Sequence, residues 1–147
     1  MFFLAGTTGG DATRTCTVPA DTALFFPVLN VVCSEAPTVP TDDGGFTGDP
    51  EPYSKCAKQL VRSFLKGEGS AFATLAGEDL TIRRIGSKPF TWTFPEQSTV
   101  FTSVPPGSYD AATYGLWVYV TEGLPEGEHT IQFGGFFGDI TYELTAV

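Results

Sequence analysis

The chain has 147 residues and a mass of 15.7 kDa, which is enough for one folded domain with its own apolar core. Its 17 acidic residues outnumber the 8 basic ones and give a net charge of −9, which argues against nucleic acid as a partner because phosphate binding depends on Lys and Arg. With 17 Gly, 11 Pro and only 17 % charged residues, long helices are not expected, and 14 % aromatic residues exclude disorder caused by low hydrophobicity.

Three strands are predicted in the first part of the chain, at residues 2–4, 13–18 and 23–32. Cys16 and Val18 share one face of the second strand, because side chains alternate along a strand. The third segment is almost continuously apolar, a pattern typical of a strand buried on both faces. Pro27 within it predicts a bulge or a sheet edge, since proline cannot donate a ladder hydrogen bond.

Residues 34–53 are predicted to form one long acidic loop that is rich in proline and glycine and has no basic residue. Carboxylates on flexible backbone suit a hard cation such as calcium. The candidate calcium ligands are Asp42, Asp43, Asp49 and Glu51. Their spacing does not match an EF-hand, and the alternative is that these acids only keep the loop solvated.

One amphipathic helix is predicted at residues 54–66, because its apolar positions recur with helical spacing on one face. Ser54 can cap this helix and Gly67 can end it. Half of the basic residues of the chain lie on its polar face, namely Lys55, Lys58, Arg62 and Lys66. We interpret this face either as a docking surface for the acidic loop or an acidic partner, or as a solvated face whose late cations suit the helix dipole.

The remainder of the chain returns to strand patterns. A hairpin is predicted from residues 71–75 and 80–85, and strict alternation predicts a strand at residues 90–94. Further strands are predicted at residues 116–120, 128–133 and 140–144. Many short strands with one inserted helix predict a mainly β fold, specifically an antiparallel β-sandwich of residues 1–147 as a single domain, with a jelly roll as one form of it.

Three cysteines are present, and their spacing does not fit a structural zinc site. We favour a disulfide between Cys33 and Cys56, which would join the long loop to the helix and contribute about 3 kcal/mol. Cys16 would then remain as a buried thiol. A disulfide implies an exported protein, whereas the alternative is a cytosolic protein with three reduced core cysteines.

Residues suited to catalysis are few. His129 is the single histidine, and it shares a strand face with Ile131 and Phe133, which favours a half-buried structural role. No nucleophile motif accompanies it. Carboxylates in turns leave a small glycan-active hydrolase as an alternative, because two of them across a cleft are sufficient for that chemistry.

Aromatic residues give the binding hypothesis. Trp117 and Tyr119 share one face of their predicted strand, and an exposed pair of this kind forms a flat, stiff platform that can stack on sugar rings. Tyr114 is a third candidate ligand-binding residue. Trp92 lies on the same face as two phenylalanines and is assigned to the core. The alternative is that other elements cover Trp117 and Tyr119, in which case they only pack.

Two stretches of the sequence resemble a family of uncharacterised, secreted bacterial proteins. The resemblance lies in the sequences FLAGT, RTCTVP and LFFP near the N-terminus, and in PEGEHTI followed by FGG near the C-terminus. It implies export, a β-sandwich and further residues before the first strand. The resemblance supplies no catalytic residue.

Together these features predict a secreted, extracellular and non-enzymatic module that binds a polysaccharide or another cell-surface ligand. A structural protein that forms homo-oligomers is the alternative, pairing through apolar edge segments at residues 2–5 or 133–137. No run of residues approaches the roughly 18 apolar positions of a membrane span, so none is predicted.

Overall fold

A computed structural model of the chain describes residues 1–67, 69–96 and 104–147. The described residues form twelve strands and one helix, so the predicted mainly β fold is confirmed. The strands are β1 (Phe2–Phe3), β2 (Ala12–Val18), β3 (Leu24–Ser34), β4 (Val39–Pro40), β5 (Phe46–Thr47), β6 (Phe72–Leu75), β7 (Glu78–Asp79), β8 (Ile82–Gly86), β9 (Phe90–Phe94), β10 (Gly107–Val120), β11 (Gly127–Gly134) and β12 (Ile140–Ala146), and the helix is α1 (Tyr53–Lys66).

Two five-stranded sheets account for most of the strands. Sheet A has the order β1-β3-β10-β8, with β9 also paired to β10, and sheet B has the order β2-β12-β11-β6-β7. The predicted β-sandwich is confirmed, but the predicted purely antiparallel pairing is wrong. β1 pairs with β3 in parallel, and β2 pairs with β12 in parallel. These parallel pairs also distinguish the fold from a jelly roll, whose strands are antiparallel.

The predicted hairpin at residues 71–85 is placed differently in the structure. β6 pairs with β7, where Leu75 lies opposite Glu78, whereas β8 belongs to sheet A. Ala76 and Gly77 form the turn, and both have positive φ angles, of 50° and 86°. Two positive φ angles characterise the tight turn whose twist matches a β-hairpin, which explains why the chain reverses here.

The acidic segment at residues 34–53 is not a loop throughout. β4 and β5 form a short antiparallel hairpin in which Val39 lies opposite Thr47. The backbone N–H of Thr41 donates to the carbonyl of Gly45, and the N–H of Gly44 donates to the carbonyl of Thr41. These hydrogen bonds give the tip of this hairpin a defined shape.

The chain divides into two compact units. The first contains Met1–Asn30, Phe64–Ile85 and Gly115–Val147, and the second contains Val31–Ser63 and Gly86–Tyr114. In the first unit the inner faces of sheets A and B pack together. Phe26 of β3 and Phe133 of β11 are both fully buried, with ring centroids 4.6 Å apart. Apolar burial between the two sheets therefore stabilises the sandwich.

The second unit contains a disulfide between Cys33 and Cys56, as predicted. It joins the end of β3 to helix α1, and Ala57 packs beside it without exposure to solvent. Trp92 is half-buried, and its indole N–H donates to the Oγ of Ser34 at 2.8 Å. The disulfide and the Trp92 hydrogen bond thus both connect the end of β3 to other elements of this unit.

Cys16 is the free cysteine, and it lies half-buried on β2 against the core of the first unit. Along the described ranges of the chain, the structure contains no helix of sufficient length and apolar character to cross a membrane.

Candidate functional site

The outer face of sheet A in the first unit carries a group of aromatic side chains. Leu24 and Phe26 of β3 point into the core, so Phe25 between them points outward. On β10 the buried side chain is Val118, which leaves Trp117 and Tyr119 on the outer side, as the alternation predicts. The two strands are neighbours in sheet A, and their outward rings therefore meet.

Phe25 is the centre of this group. Trp117 stacks on it with ring centroids 4.8 Å apart and planes 3° apart. Tyr119 meets Phe25 edge-on at 6.2 Å, and Phe3 of β1 meets it edge-on at 5.8 Å. Stacked and edge-on arrangements are the preferred geometries of aromatic pairs. We call Phe3, Phe25, Trp117 and Tyr119 the aromatic face.

The rings of the aromatic face differ in exposure. Trp117 is half-buried, because one side of the indole lies against Phe25. Tyr119 is 44 % exposed and Phe3 is 67 % exposed. Tyr119 and Phe3 therefore supply most of the exposed surface. Phe25 lies between these two rings, and Trp117 stacks on Phe25.

An open cavity of about 650 Å³ lies at this surface. Its walls are mainly apolar, and Arg83, Tyr119 and Thr121 are the lining residues with polar side chains. The lining residues are Met1, Phe3, Phe25, Arg83, Ile85, Tyr119 and Thr121. A concave, mostly apolar surface with a few polar groups is typical of a ligand site.

Tyr114, the third predicted ligand-binding residue, belongs to the second unit and is not part of the aromatic face. Its ring packs beside the disulfide, and the Nζ of Lys58 lies 5.7 Å from the ring centroid. A cation at this distance is attracted by the electrons of an aromatic ring. Tyr114 therefore has a packing role against helix α1, while its part in ligand binding stays a prediction.

Two of the four predicted calcium ligands, Asp43 and Asp49, accept hydrogen bonds. The carboxylate of Asp43 accepts hydrogen bonds from the Thr41 hydroxyl and the Gly45 N–H, and these bonds, the Thr41 bond foremost, lower the pKa of Asp43. Asp49 accepts a hydrogen bond from the N–H of Ser34 at 2.9 Å. Asp42 and Glu51 are exposed. Calcium binding by these residues stays a prediction.

One close group of metal-binding residue types occurs in the parts of the chain that the structure describes. It consists of Cys33, Asp49 and Cys56, whose ligand atoms lie within 4.8 Å of one another. The two sulfurs are bonded to each other in the disulfide, so this group is not a metal site.

A second cavity, of about 270 Å³, lies in the second unit beside Glu51, Tyr53 and Asp110. Burial raises the pKa of Tyr53, and the negative charges of Glu51, Glu35 and Asp110 raise it further. The Tyr53 phenol is therefore held in its neutral form beside these carboxylates.

His129 is half-buried, and its Nε2 lies 2.8 Å from the carbonyl oxygen of Pro125. The ring N–H donates to this carbonyl, which ties β11 to the turn before it. The predicted structural role of the histidine is thus supported by a hydrogen-bond partner.

Sequence reasoning missed Phe3, Phe25, Arg83 and Ile85 as part of the surface. Alternation along the chain places Phe25 on one face of its strand, and it places Arg83 and Ile85 on one face of theirs. The order of strands in sheet A is needed to bring these side chains together with Phe3. In comparisons with known proteins, no family model, no curated protein and no solved structure matches this chain.

Proposed function

We propose that this chain is a non-enzymatic module that binds carbohydrate through its aromatic face. The observation that carries the proposal is the open cavity at which Tyr119 and Phe3 stand exposed on either side of Phe25. The apolar C–H face of a sugar ring packs well on such rings, which are amphipathic and stiff. Ring contacts within the face hold the rings in place before a ligand arrives, and this lowers the entropy cost of binding.

Polar groups around the cavity support this ligand class. Arg83 can donate hydrogen bonds from its guanidinium, and the hydroxyls of Thr121 and Tyr119 can both donate and accept. Sugar hydroxyls require this mixture of donors and acceptors at the margin of an apolar contact. The ligand we propose is therefore a polysaccharide, recognised along a short stretch of its chain.

An extracellular location is part of the proposal. The Cys33–Cys56 disulfide supports it, because disulfides persist in oxidising compartments. The resemblance to secreted bacterial proteins is a second line of support. A module in this location meets polysaccharides of cell surfaces and of the surrounding matrix.

Affinity electrophoresis through native gels that contain single soluble polysaccharides tests the proposal. We expect one polysaccharide to retard the wild-type protein and Tyr119→Ala to abolish this retardation. Phe137→Ala is the matched control, because Phe137 is a half-exposed ring of the same unit outside the aromatic face. Absence of retardation in every gel, or equal retardation of Tyr119→Ala and wild type, would contradict carbohydrate binding at this face.

A structural, self-assembling protein is the second candidate, and the position of Phe3 favours it. Phe3 is 67 % exposed on β1, an edge strand of sheet A, and exposed edge strands pair with other chains. In the other predicted segment, residues 133–137, Phe133 is buried on β11 in the middle of sheet B, whereas Phe137 is 48 % exposed. Concentration-dependent mass that Phe3→Asp abolishes would favour this second candidate.

A further inference from the structure

Helix α1 carries a row of positive charges along one side. Lys55, Lys58 and Arg62 follow one another at intervals of three and four residues, so they lie along one side of the helix. Cys56, Ala57 and Val61 are buried on the opposite side, which leaves the three cations exposed. We call Lys55, Lys58 and Arg62 the basic stripe.

Repulsion between the like charges of the basic stripe would destabilise helix α1 if the helix were isolated. Lys58 and Arg62 are four residues apart, where like charges destabilise a helix by a few tenths of a kcal/mol. The helix sequence YSKCAKQLVRSFLK contains no acidic residue that could offset this repulsion. The disulfide at Cys56 and the packing of Lys58 on Tyr114 hold this part of the helix in place. A fixed row of cations of this kind is suited to an anionic partner.

The β4–β5 hairpin in the same unit has the opposite character. Asp42 and Asp43 stand exposed at its tip, and residues 34–53 contain no Lys, Arg or His. Phe46 is 50 % exposed on β5, beside the acidic tip. The turn hydrogen bonds of Thr41 and Gly45 hold the tip in shape. We call residues 39–47 the acidic hairpin.

Among the residues that the structure describes, both surfaces are exposed to solvent. Lys55, Lys58 and Arg62 are exposed, and so are Asp42, Asp43 and Phe46. The two surfaces complement each other in charge. The long apolar stems of Lys and Arg also provide a surface on which an exposed aromatic ring such as Phe46 can pack.

We propose that the acidic hairpin of one copy docks on the basic stripe of a second copy of this chain. Asp42 and Asp43 would pair with Lys58 and Arg62, with Phe46 lying against their stems. Because the two surfaces differ, two copies can make the contact twice in a two-fold symmetric dimer, or many copies can make it once each in chains and rings. Neither the aromatic face nor β1 takes part in this contact, so the contact is independent of the proposed function.

Sedimentation velocity of the whole chain over a range of concentrations tests the proposal. At low ionic strength we expect the average mass to rise with protein concentration, and at high ionic strength we expect it to fall, because salt screens exposed charges. Lys58→Glu/Arg62→Glu and Asp42→Lys/Asp43→Lys should each weaken association by ~10-fold or more, since like charges would then face each other.

A mixture of the two variants distinguishes lost charge pairing from misfolding. Each variant carries the complement of the other's altered surface, so the mixture should associate although neither variant does alone. Arg84→Glu/Lys88→Glu is the net-charge control for Lys58→Glu/Arg62→Glu, because it changes the net charge by the same amount at exposed residues outside the stripe, and it should associate like wild type. A wild-type protein that stays monomeric, or a mixture that stays monomeric, would overturn the proposal. If the wild-type protein stays monomeric and binds dextran sulfate through the basic stripe, the partner of the stripe is another polyanion and not a second copy of the chain.

Discussion

The indole of Trp117 lies parallel to the ring of Phe25, with their centroids 4.8 Å apart. Trp117→Ala removes this stacked contact and leaves a gap on the outer face of sheet A. We expect it to lower the free energy of unfolding by about 2 kcal/mol, measured by chemical denaturation. Trp117→Phe, which keeps an aromatic ring against Phe25, should recover more than half of that loss. Wild-type stability of Trp117→Ala would show that the stack contributes nothing.

Gly115 of β10 lies where the backbone of β3 comes close on this face. A Cβ atom at this position would lie 2.5 Å from the carbonyl oxygen of Leu29 and 2.7 Å from the Nε1 of Trp117. Gly115→Ala should therefore destabilise the fold by about 2 kcal/mol, because the backbone of Leu29 has to move. Gly6→Ala is the matched control, since its Cβ would meet Pro27 at an ordinary 3.4 Å. Equal melting temperatures of the two variants would refute this explanation.

The disulfide closes a long segment of chain, with a sequence separation of 23 residues between Cys33 and Cys56. Cys33→Ala/Cys56→Ala should lower the free energy of unfolding by about 3 kcal/mol, since the unfolded chain gains entropy. Cys16→Ala lacks only the free thiol and serves as the control for cysteine replacement. Alkylation of the unfolded, unreduced protein should label one cysteine, and labelling of all three would disprove the bond.

Tyr53 makes stability depend on pH in the alkaline range. Its pKa is raised above the ordinary 10.0, so above pH 10 the folded chain retains a proton that the unfolded chain has lost. The stabilisation is complete below pH 10 and is lost as the pH rises towards the raised pKa. We expect Tyr53→Phe to lose stability less steeply above pH 10 than wild type, in denaturation at several pH values. If stability falls equally steeply with pH in wild type and in Tyr53→Phe, the phenol has the same pKa in the folded and the unfolded chain.

Glu51→Gln provides a second check on the cause of this shift. Removing the Glu51 charge should bring the pKa of Tyr53 closer to 10.0, which absorbance of the phenolate reports directly. Glu126→Gln is the control, because Glu126 is an exposed acid of the first unit.

Elements whose residue pattern and boundaries are both visible in the local sequence could be predicted well. β9 coincides with the predicted strand at residues 90–94, because strict alternation lies there between two prolines. Helix α1 begins one residue earlier than predicted and ends at the same residue, 66. The small β4–β5 hairpin was missed, although the Asp-Asp-Gly-Gly turn at residues 42–45 was its available signal.

Pairings between distant segments were not predictable from local patterns. β2 pairs with β12 from the other end of the chain. β8 pairs with β10 in sheet A, whereas the β6–β7 hairpin belongs to sheet B. The candidate site also depends on pairing between strands that are distant in sequence. Alternation placed Trp117 and Tyr119 on one face, but Phe25 joins them only because β3 lies beside β10. Tyr114 is close to Trp117 in sequence and yet packs beside the disulfide.

The two tryptophans of the chain fall one in each unit, Trp117 in the first and Trp92 in the second. Each unit therefore contains its own fluorescent reporter in a distinct environment, one stacked on a ring and one hydrogen-bonded to a buried serine. Trp92→Phe and Trp117→Phe yield two single-tryptophan proteins whose emission follows one unit at a time. Coincident unfolding curves would identify one cooperative folding unit, and separate curves would assign a stability to each half.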